Sequence, residues 1–366
     1  MIKKMHLGKK CTGCEACVNI CPEKCIAMQQ EEDGFLYPYI DFQKCIDCKA
    51  CFRVCENTLL QRNISTTTSY AAYARDEIRS KCSSGGVFRL LAEEVIKKNG
   101  VVCGAAYVSG YKVEHIIIEE QFEIERLQTS KYVQSRIGDV YHKIKQKLDS
   151  KRLVLFTGTP CQVAGLKAYL GREYKNLYTV DLCCHGVPSQ SLFDQYIKEE
   201  YKGQVIEQIN FRDKRDGWTY LLKLSVKTSH KEYVSNIKED PYYIAFSKRL
   251  SLRECCGECD YATNARCGDI TLGDFWRIWD YDKALDDRKG TSLVMVNTIR
   301  GKTLIEDIAV NFETFKEVPF EYAVLGNVTL DKCMKLSPYR KQFIKNVQKN
   351  SIRDSIYMIE NKRVER

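Results

Sequence analysis

The chain has 366 residues, 44% of them hydrophobic, which suits two or three domains with sizeable cores. No run approaches the ~18 apolar residues that a membrane span needs, and the basic start MIKKMHLGKKC has no apolar stretch behind it, so neither a span nor a signal peptide is expected and the chain reads as cytoplasmic. The formal charge is +9, but Lys and Arg are scattered with no run of five, and no dedicated nucleic-acid motif accompanies them.

There are 19 Cys. With no export signal the thiols stay reduced, and closely spaced thiols then read as metal ligands or redox groups rather than disulfides. Residues 1–62 contain an internal repeat: Cys11, Cys14, Cys17 and Cys21 recur as Cys45, Cys48, Cys51 and Cys55. The first run, ending Cys21-Pro22, has the full C-x2-C-x2-C-x3-C-P spacing, in which three thiolates hold one cubane and the fourth reaches the other. Cys11, Cys14, Cys17 and Cys55 are therefore assigned to one 4Fe–4S cluster, and Cys45, Cys48, Cys51 and Cys21 to a second. A zinc site fits poorly, since zinc takes four ligands, usually as two separated pairs. Between the runs, the turn Glu31-Glu32-Asp33-Gly34 leads into Phe35 to Asp41, which reads as a hairpin strand. Residues 5–62 closely resemble the two-cluster bacterial ferredoxin family. One departure is Glu56 where a Pro usually follows the second run, which loosens the turn and adds negative charge beside one cluster. Cys25 lies outside both runs and reads as a small buried hydrophobe. Clusters at about −2 each would offset part of the +9, leaving at most a basic patch for an acidic carrier.

Residues 63–79 open with a polar stretch and read as a linker. From about residue 71 the pattern changes. Phe88–Ile96, 139–150 and 161–170 have helical character, and they alternate with the apolar strands 101–107, 153–156 and 178–182. Such alternation predicts an α/β domain with a largely parallel sheet. Residues 203–236 read as antiparallel strands, and the basic tail 338–366 as an exposed helix. Further thiols sit in loop contexts. Cys161 and the pair Cys183/Cys184 follow strands, where ligands gather in α/β sheets, and Cys255, Cys256 and Cys259 form a C-C-x2-C group with Cys267 close behind. Ser83-Ser84-Gly85-Gly86 precedes a helix and offers an N-cap and free N–H groups to an anion.

Residues 80–280 resemble the coenzyme F(420) hydrogenase/dehydrogenase beta-subunit family. The segments that carry this are Ser83 to Phe88, Ser130 to Ser135, Leu155 to Gln162, Cys184 to Pro188, Cys256 to Cys259 and Gly268 to Trp276, in matching order. The resemblance implies an iron–sulfur flavoprotein. It implies a third 4Fe–4S cluster on Cys161, Cys184, Cys256 and Cys259, with Cys183, Cys255 and Cys267 as alternatives from the same loops. It also implies FAD at Ser83, Ser84, Gly85 and Gly86. Lys131 and Tyr132 then suit a flavin-contacting loop, and the Gly158-Thr159 turn offers backbone donors. His185 suits proton transfer, a hydrogen bond to a cluster sulfur, or a helix cap. Asp274 and Trp276 line the same region, with Trp276 fitting a core place equally well.

The expected fold is α+β: a ferredoxin-like module with two 4Fe–4S clusters (1–62), a linker (63–79), an α/β flavin-binding domain with a mixed sheet (80–337) and a basic helical tail (338–366). The expected function is a flavin-dependent oxidoreductase joining a two-electron carrier or substrate, F(420)-like or other, to one-electron carriers. The alternative is a non-catalytic electron-transfer subunit docked to a partner enzyme. A redox partner protein or small electron carrier is implied, and a homo-oligomer is open. No G-x-G-x-x-G follows a strand, so a dinucleotide site of that kind has no support.

Overall fold

The computed structural model describes residues 2–5, 10–62 and 68–364. In the N-terminal module, strand β1 (Ile2–Lys4), β2 (Ile26–Gln30) and β3 (Leu36–Asp41) form an antiparallel sheet with β3 in the centre. The expected hairpin is present. Asp33 closes its turn, accepting from the Phe35 N–H and from the Tyr37 hydroxyl. Each Cys run ends in a short helix, Ala16–Ile20 or Ala50–Asn57. Both helices start from a left-handed residue, Glu15 (φ 59°) and Lys49 (φ 60°). A second left-handed residue sits two places earlier, Gly13 (φ 70°) and Asp47 (φ 56°). The two runs thus share one backbone path. Positive φ at non-glycine residues is uncommon and marks such sites.

The large sheet has eight strands. They are β4 (Thr68–Ala74), β5 (Val101–Tyr107), β6 (Val113–Ile118), β7 (Val154–Gly158), β8 (Leu177–Leu182) and, after the separate three-stranded sheet of β9 (Ile206–Asp213), β10 (Lys223–Thr228) and β11 (Glu232–Asn236), β12 (Ile270–Asp274), β13 (Ser292–Val296) and β14 (Phe312–Glu317). The order is β14-β4-β13-β12-β8-β7-β5-β6. β5, β7, β8 and β12 run parallel, and antiparallel strands flank them on both sides. The expected mixed sheet is therefore present.

Strand periodicity of two splits the core into two layers. Val101, Cys103, Val154 and Phe156 face the helices Val140–Asp149 and Pro160–Leu170, and the N-terminal module packs over that side. Val102, Ala106, Leu155 and Val180 face the helices Val87–Lys97 and Ile299–Asp307.

Two expectations need correction. The linker placed at 63–79 contains a strand and a short helix, Asp76–Arg79. Residues 63–67 lie outside the described residues, but Thr68–Ala74 is β4, paired on both edges. Its Ala71, Ala72 and Ala74 are buried, and the Ser69 hydroxyl donates to the Val318 carbonyl. Small residues fit a crowded inner strand but give little apolar signal. The C-terminal tail is helical but not free. It forms Arg340–Val347 and Ile352–Val364, whose Phe343, Ile352, Ile356 and Ile359 complete the core around β9–β11. The stripe 352-356-359 has helical spacing, so this face was readable as buried.

The ends of β8 and β12 are locked by one buried ion pair. Asp181 accepts from Arg266, the Thr271 hydroxyl and the N–H groups of Cys267 and Gly268, and both charged residues are buried. Breaking a buried pair on one side leaves an unpaired charge. Asp181→Leu is expected to cost about 3–5 kcal/mol in chemical denaturation. A loss below about 1 kcal/mol would show that the pair does not hold these strand ends.

Candidate metal centres and cofactor cleft

Cys21, Cys45, Cys48 and Cys51 line one cavity of about 140 Å3, together with Phe42 and Ile46. Four thiols around a space of that size fit a cubane, and this is the set assigned to the second cluster. Cys25 also lines the cavity, with its sulfur 3.4 Å from that of Cys21. It is buried, as expected, but as part of the site wall.

The other crossed set also comes together. Burial and the neighbouring thiols of Cys14, Cys11 and Cys55 push the Cys17 thiol well up. Cys55 is pushed up to about 12, by burial and then by Cys14 and Cys11. Cys51 feels Cys21 and Cys45 instead. Cys51 and Cys55 share one helix, yet each faces a different set. Thiols crowded and raised in this way need a metal to ionise them. Among the described residues no three Cys, His, Asp or Glu converge on a point for a single ion.

The scattered thiols gather too. Cys161 stands in the first turn of the helix after β7, and Cys184 follows β8. Cys161 feels the charges of Cys184, Cys259 and Cys14, Cys184 those of Cys256 and Cys259, and Cys259 that of Cys256. Cys183 turns away from this set and packs on Gly273. Cys267 is buried beside Asp181 and Arg266. Cys255 sits against Cys256. Cys333 was not singled out from the sequence. It donates from its thiol to the Gly257 carbonyl at 3.3 Å and neighbours Cys259. An isolated Cys with no motif gives no signal of its own.

The third set lies close to the first. A side chain on Gly165 would meet the Cys14 sulfur at 3.2 Å and the Tyr141 hydroxyl at 2.9 Å, so only glycine lets the helix Pro160–Leu170 approach the Cys14 loop here.

Beyond Cys184 lies a group of cations, Arg212 buried and Lys131 and Lys214 half-buried. Lys131 donates to the carbonyls of Gln128 (2.6 Å) and Thr129 (3.2 Å), and Lys214 to those of Arg79 (2.6 Å), Lys289 (3.0 Å) and Ser84 (3.2 Å). Burial lowers Lys131 to about 7 and Lys214 to about 8. Arg212 donates from Nη1 to Asp274 (2.6 Å) and to the Tyr132 hydroxyl (3.3 Å), while its Nη2 is buried without a partner. Carbonyls do not neutralise ammonium groups, so this donor set fits an anionic ligand such as a flavin pyrophosphate. The Ser83–Gly86 loop adjoins it. Ser83 accepts from the Ser130 N–H, Gly85 donates to Ser292, and the helix Val87–Lys97 begins there with no side-chain cap.

Not every expected flavin residue points into this region. Thr159 caps the helix Pro160–Leu170 in a capping box and contacts the Cys161 sulfur at 3.1 Å, and Gly158 packs on Gln162 and His115. The Tyr132 ring is enclosed by Phe211, Tyr243 and Phe246, leaving its hydroxyl to Arg212. His185 is exposed beside Cys184 and feels Asp274 and Arg212. Trp276 is stacked with Trp218 and Tyr220 at 4.3 and 4.6 Å. Lys214 and Arg212 were missed, because a lone cation on a strand end has no motif.

Residues 10–58 match the 4Fe-4S dicluster domain. Residues 151–318 match the family described as the C terminus of the Coenzyme F(420) hydrogenase/dehydrogenase beta subunit. The chain joins these two domains. Its N-terminal side is thus an iron–sulfur electron-transfer module, and residues 151–318 carry the match to that hydrogenase/dehydrogenase subunit family. It also aligns with a chain of the F(420)-reducing NiFe hydrogenase complex from Methanosarcina barkeri, at 16% identity and a TM-score of 0.46, over 82% of this chain and 92% of that one. No curated protein matches the sequence significantly. Among the described residues, no helix is long and apolar enough to cross a membrane.

Cys161 lies within the gathered thiols, whereas Cys183 packs on Gly273. Cys161→Ala is expected to lower iron content by about four per chain, whereas Cys183→Ala should leave it unchanged. Equal iron in both variants would remove the third set as a cluster site.

Proposed function

We propose that this chain is an iron–sulfur flavoprotein oxidoreductase. It passes electrons between a two-electron carrier or substrate, F(420)-like or other, and one-electron carriers. The observation that carries the reading is the pair of half-buried lysines, Lys131 and Lys214, that donate to backbone carbonyls beside Arg212 and its unpartnered Nη2. FAD in this cleft would supply the conversion between hydride-level and single-electron chemistry, which clusters alone cannot provide.

The chain's own residues have separable tasks. Lys131, Lys214 and the uncapped helix start at Val87 would hold the phosphates of such a group. Asp274 and Tyr132 fix the Arg212 guanidinium, so that its unpartnered Nη2 is presented in one direction. His185 holds or releases a proton at its ring nitrogen beside Cys184. Cys161, Cys184, Cys256 and Cys259 hold the centre next to the cleft, and Cys14 adjoins it from the N-terminal module.

The rival reading, a non-catalytic subunit docked to a partner redox enzyme, is favoured by one feature. Cys48 is exposed, and around it stand the exposed apolar side chains Phe42, Ile46 and Phe52. Such a rim suits a protein carrying a one-electron centre.

Iron, sulfide and flavin content of anaerobically purified protein decides between them. About twelve irons with one flavin are expected. Full iron with neither bound nor bindable flavin would sink the flavoprotein reading and leave the docking subunit. The cations add a second check. An anion binds the protonated lysines, so FAD affinity should fall as pH rises through about 7 and 8, where Lys131 and Lys214 titrate. Lys131→Met should weaken FAD binding by about tenfold at low pH and flatten the lower step, followed by flavin fluorescence quenching. A pH-independent affinity in both proteins would place the phosphates elsewhere.

A further inference from the structure

Arg253 stands three residues before Cys256, but its side chain runs the other way, into the N-terminal module. It is 1% exposed. Its Nε donates to the Cys11 carbonyl (2.8 Å), its Nη1 to Gln134 Oε1 (2.9 Å), and its Nη2 to the Leu36 carbonyl (2.9 Å) and toward the Cys11 sulfur (3.7 Å). The guanidinium also lies 4.4 Å from the Tyr37 ring centroid and 5.2 Å from that of Phe35. None of these acceptors is a carboxylate. Its backbone belongs to the other set of thiols, since the Arg253 carbonyl accepts from the Cys256 N–H and the Arg253 N–H donates to Val187. One buried cation therefore spans the Cys11 set and the loop that carries Cys256.

We propose that Arg253 is a positioning residue that raises the reduction potential of the centre held by Cys11, Cys14, Cys17 and Cys55. The same charge acts more weakly on the Cys256 centre, and that half of the inference rests on the third-cluster reading above. The physical reason is the sign of the charge change. Reduction adds one electron to a centre that is already negative, and no proton moves, because an arginine stays protonated. A fixed cation close to a ligating sulfur in a poorly solvated seam stabilises the reduced form more than the oxidised form. The centre lined by Cys21, Cys45, Cys48 and Cys51 has no contact with Arg253 and keeps its own potential. The first centre becomes the resting place for an electron between the other two.

The test is a dithionite redox titration followed by EPR on the full-length, anaerobically purified protein. Cys48→Ala identifies the second centre by removing its signal. Arg253→Gln is expected to lower the reduced-to-oxidised ratio of the first centre about tenfold at a fixed solution potential, about 59 mV for one electron, with iron content kept and the second centre unmoved. Arg253→Lys keeps the charge and should recover most of that shift. Gln134→Glu leaves Arg253 in place and sets a carboxylate against its Nη1. It should lower the same midpoint, and it decides the matter if Arg253→Gln loses iron. An unmoved first midpoint in Gln134→Glu, an equal fall in the Gln and Lys variants of Arg253, or an equal shift of the second centre would overturn the proposal. A wild-type protein with about eight irons would remove Cys256 as a ligand, yet the first-centre shift would still be there to read.

Discussion

The arrangement of this protein depends on charge buried in the seam between its N-terminal module and its sheet domain. Glu15, 2% exposed, accepts from Arg136 through both oxygens and from the N–H groups of Ile137 and Gly138. It is also the left-handed residue that turns the first Cys run into its helix. One side chain thus fixes both the loop around Cys14 and Cys17 and the docking of that loop on the sheet domain. Arg253 does the converse, reaching from the sheet domain to Cys11. Asn19 and Gln134 add hydrogen bonds to Gly138 and Thr12. Buried charges cost desolvation and return it only with near-complete partnering, so a seam built this way tolerates little sliding. That rigidity is what electron transfer between centres requires, because the separation between thiol sets must stay fixed.

The topology supplies the rest of the placement. β7, β8 and β12 are parallel neighbours, and their C-terminal ends deliver Cys161, Cys183/Cys184 and Asp274 to one edge of the sheet. Ligands gather at such an edge in α/β folds. The cations Arg212 and Lys214 come from the end of β9 and the loop after it, in a sheet that is separate from the main one. These cations therefore lie where two sheets meet, and neither sheet alone contributes both the thiols and the cations.

Much of this was legible in the sequence because the signals were local. The two Cys runs, the hairpin turn at Asp33-Gly34 and the strand-helix alternation from Val101 to Leu182 each depend on residues close together in the chain. What was not legible depends on distant partners. The strand Thr68–Ala74 reads as polar linker because its alanines become core only between β13 and β14. The Gly158-Thr159 turn offers backbone donors on sequence grounds, but the Thr159 N–H donates to Gln162 Oε1 within the helix cap. Arg253 sits in an unremarked stretch, and its contact with Cys11 spans 242 residues of chain. Cys183 and Cys184 are adjacent in sequence and differ only in which side of a strand end they leave from, which follows from the alternation of side chains along an extended chain.

The three thiol sets also differ in solvent exposure, and this orders them. Cys48 is the one exposed cysteine among the described residues, while Cys11 and Cys17 are buried and Cys161 and Cys184 are half-buried. A centre with an exposed ligand and an apolar rim exchanges electrons with something outside. In the first set Cys11 and Cys17 are buried and Cys14 and Cys55 half-buried, so a centre there is better shielded from outside partners. The first set has neighbours on both flanks, Cys51 beside Cys55 and Cys161 beside Cys14. On the proposed reading it is the relay, and the chain has one direction of contact for two-electron chemistry and another for one-electron partners. The buried cation at Cys11 falls on that relay, at the position where a change in one potential alters traffic in both directions.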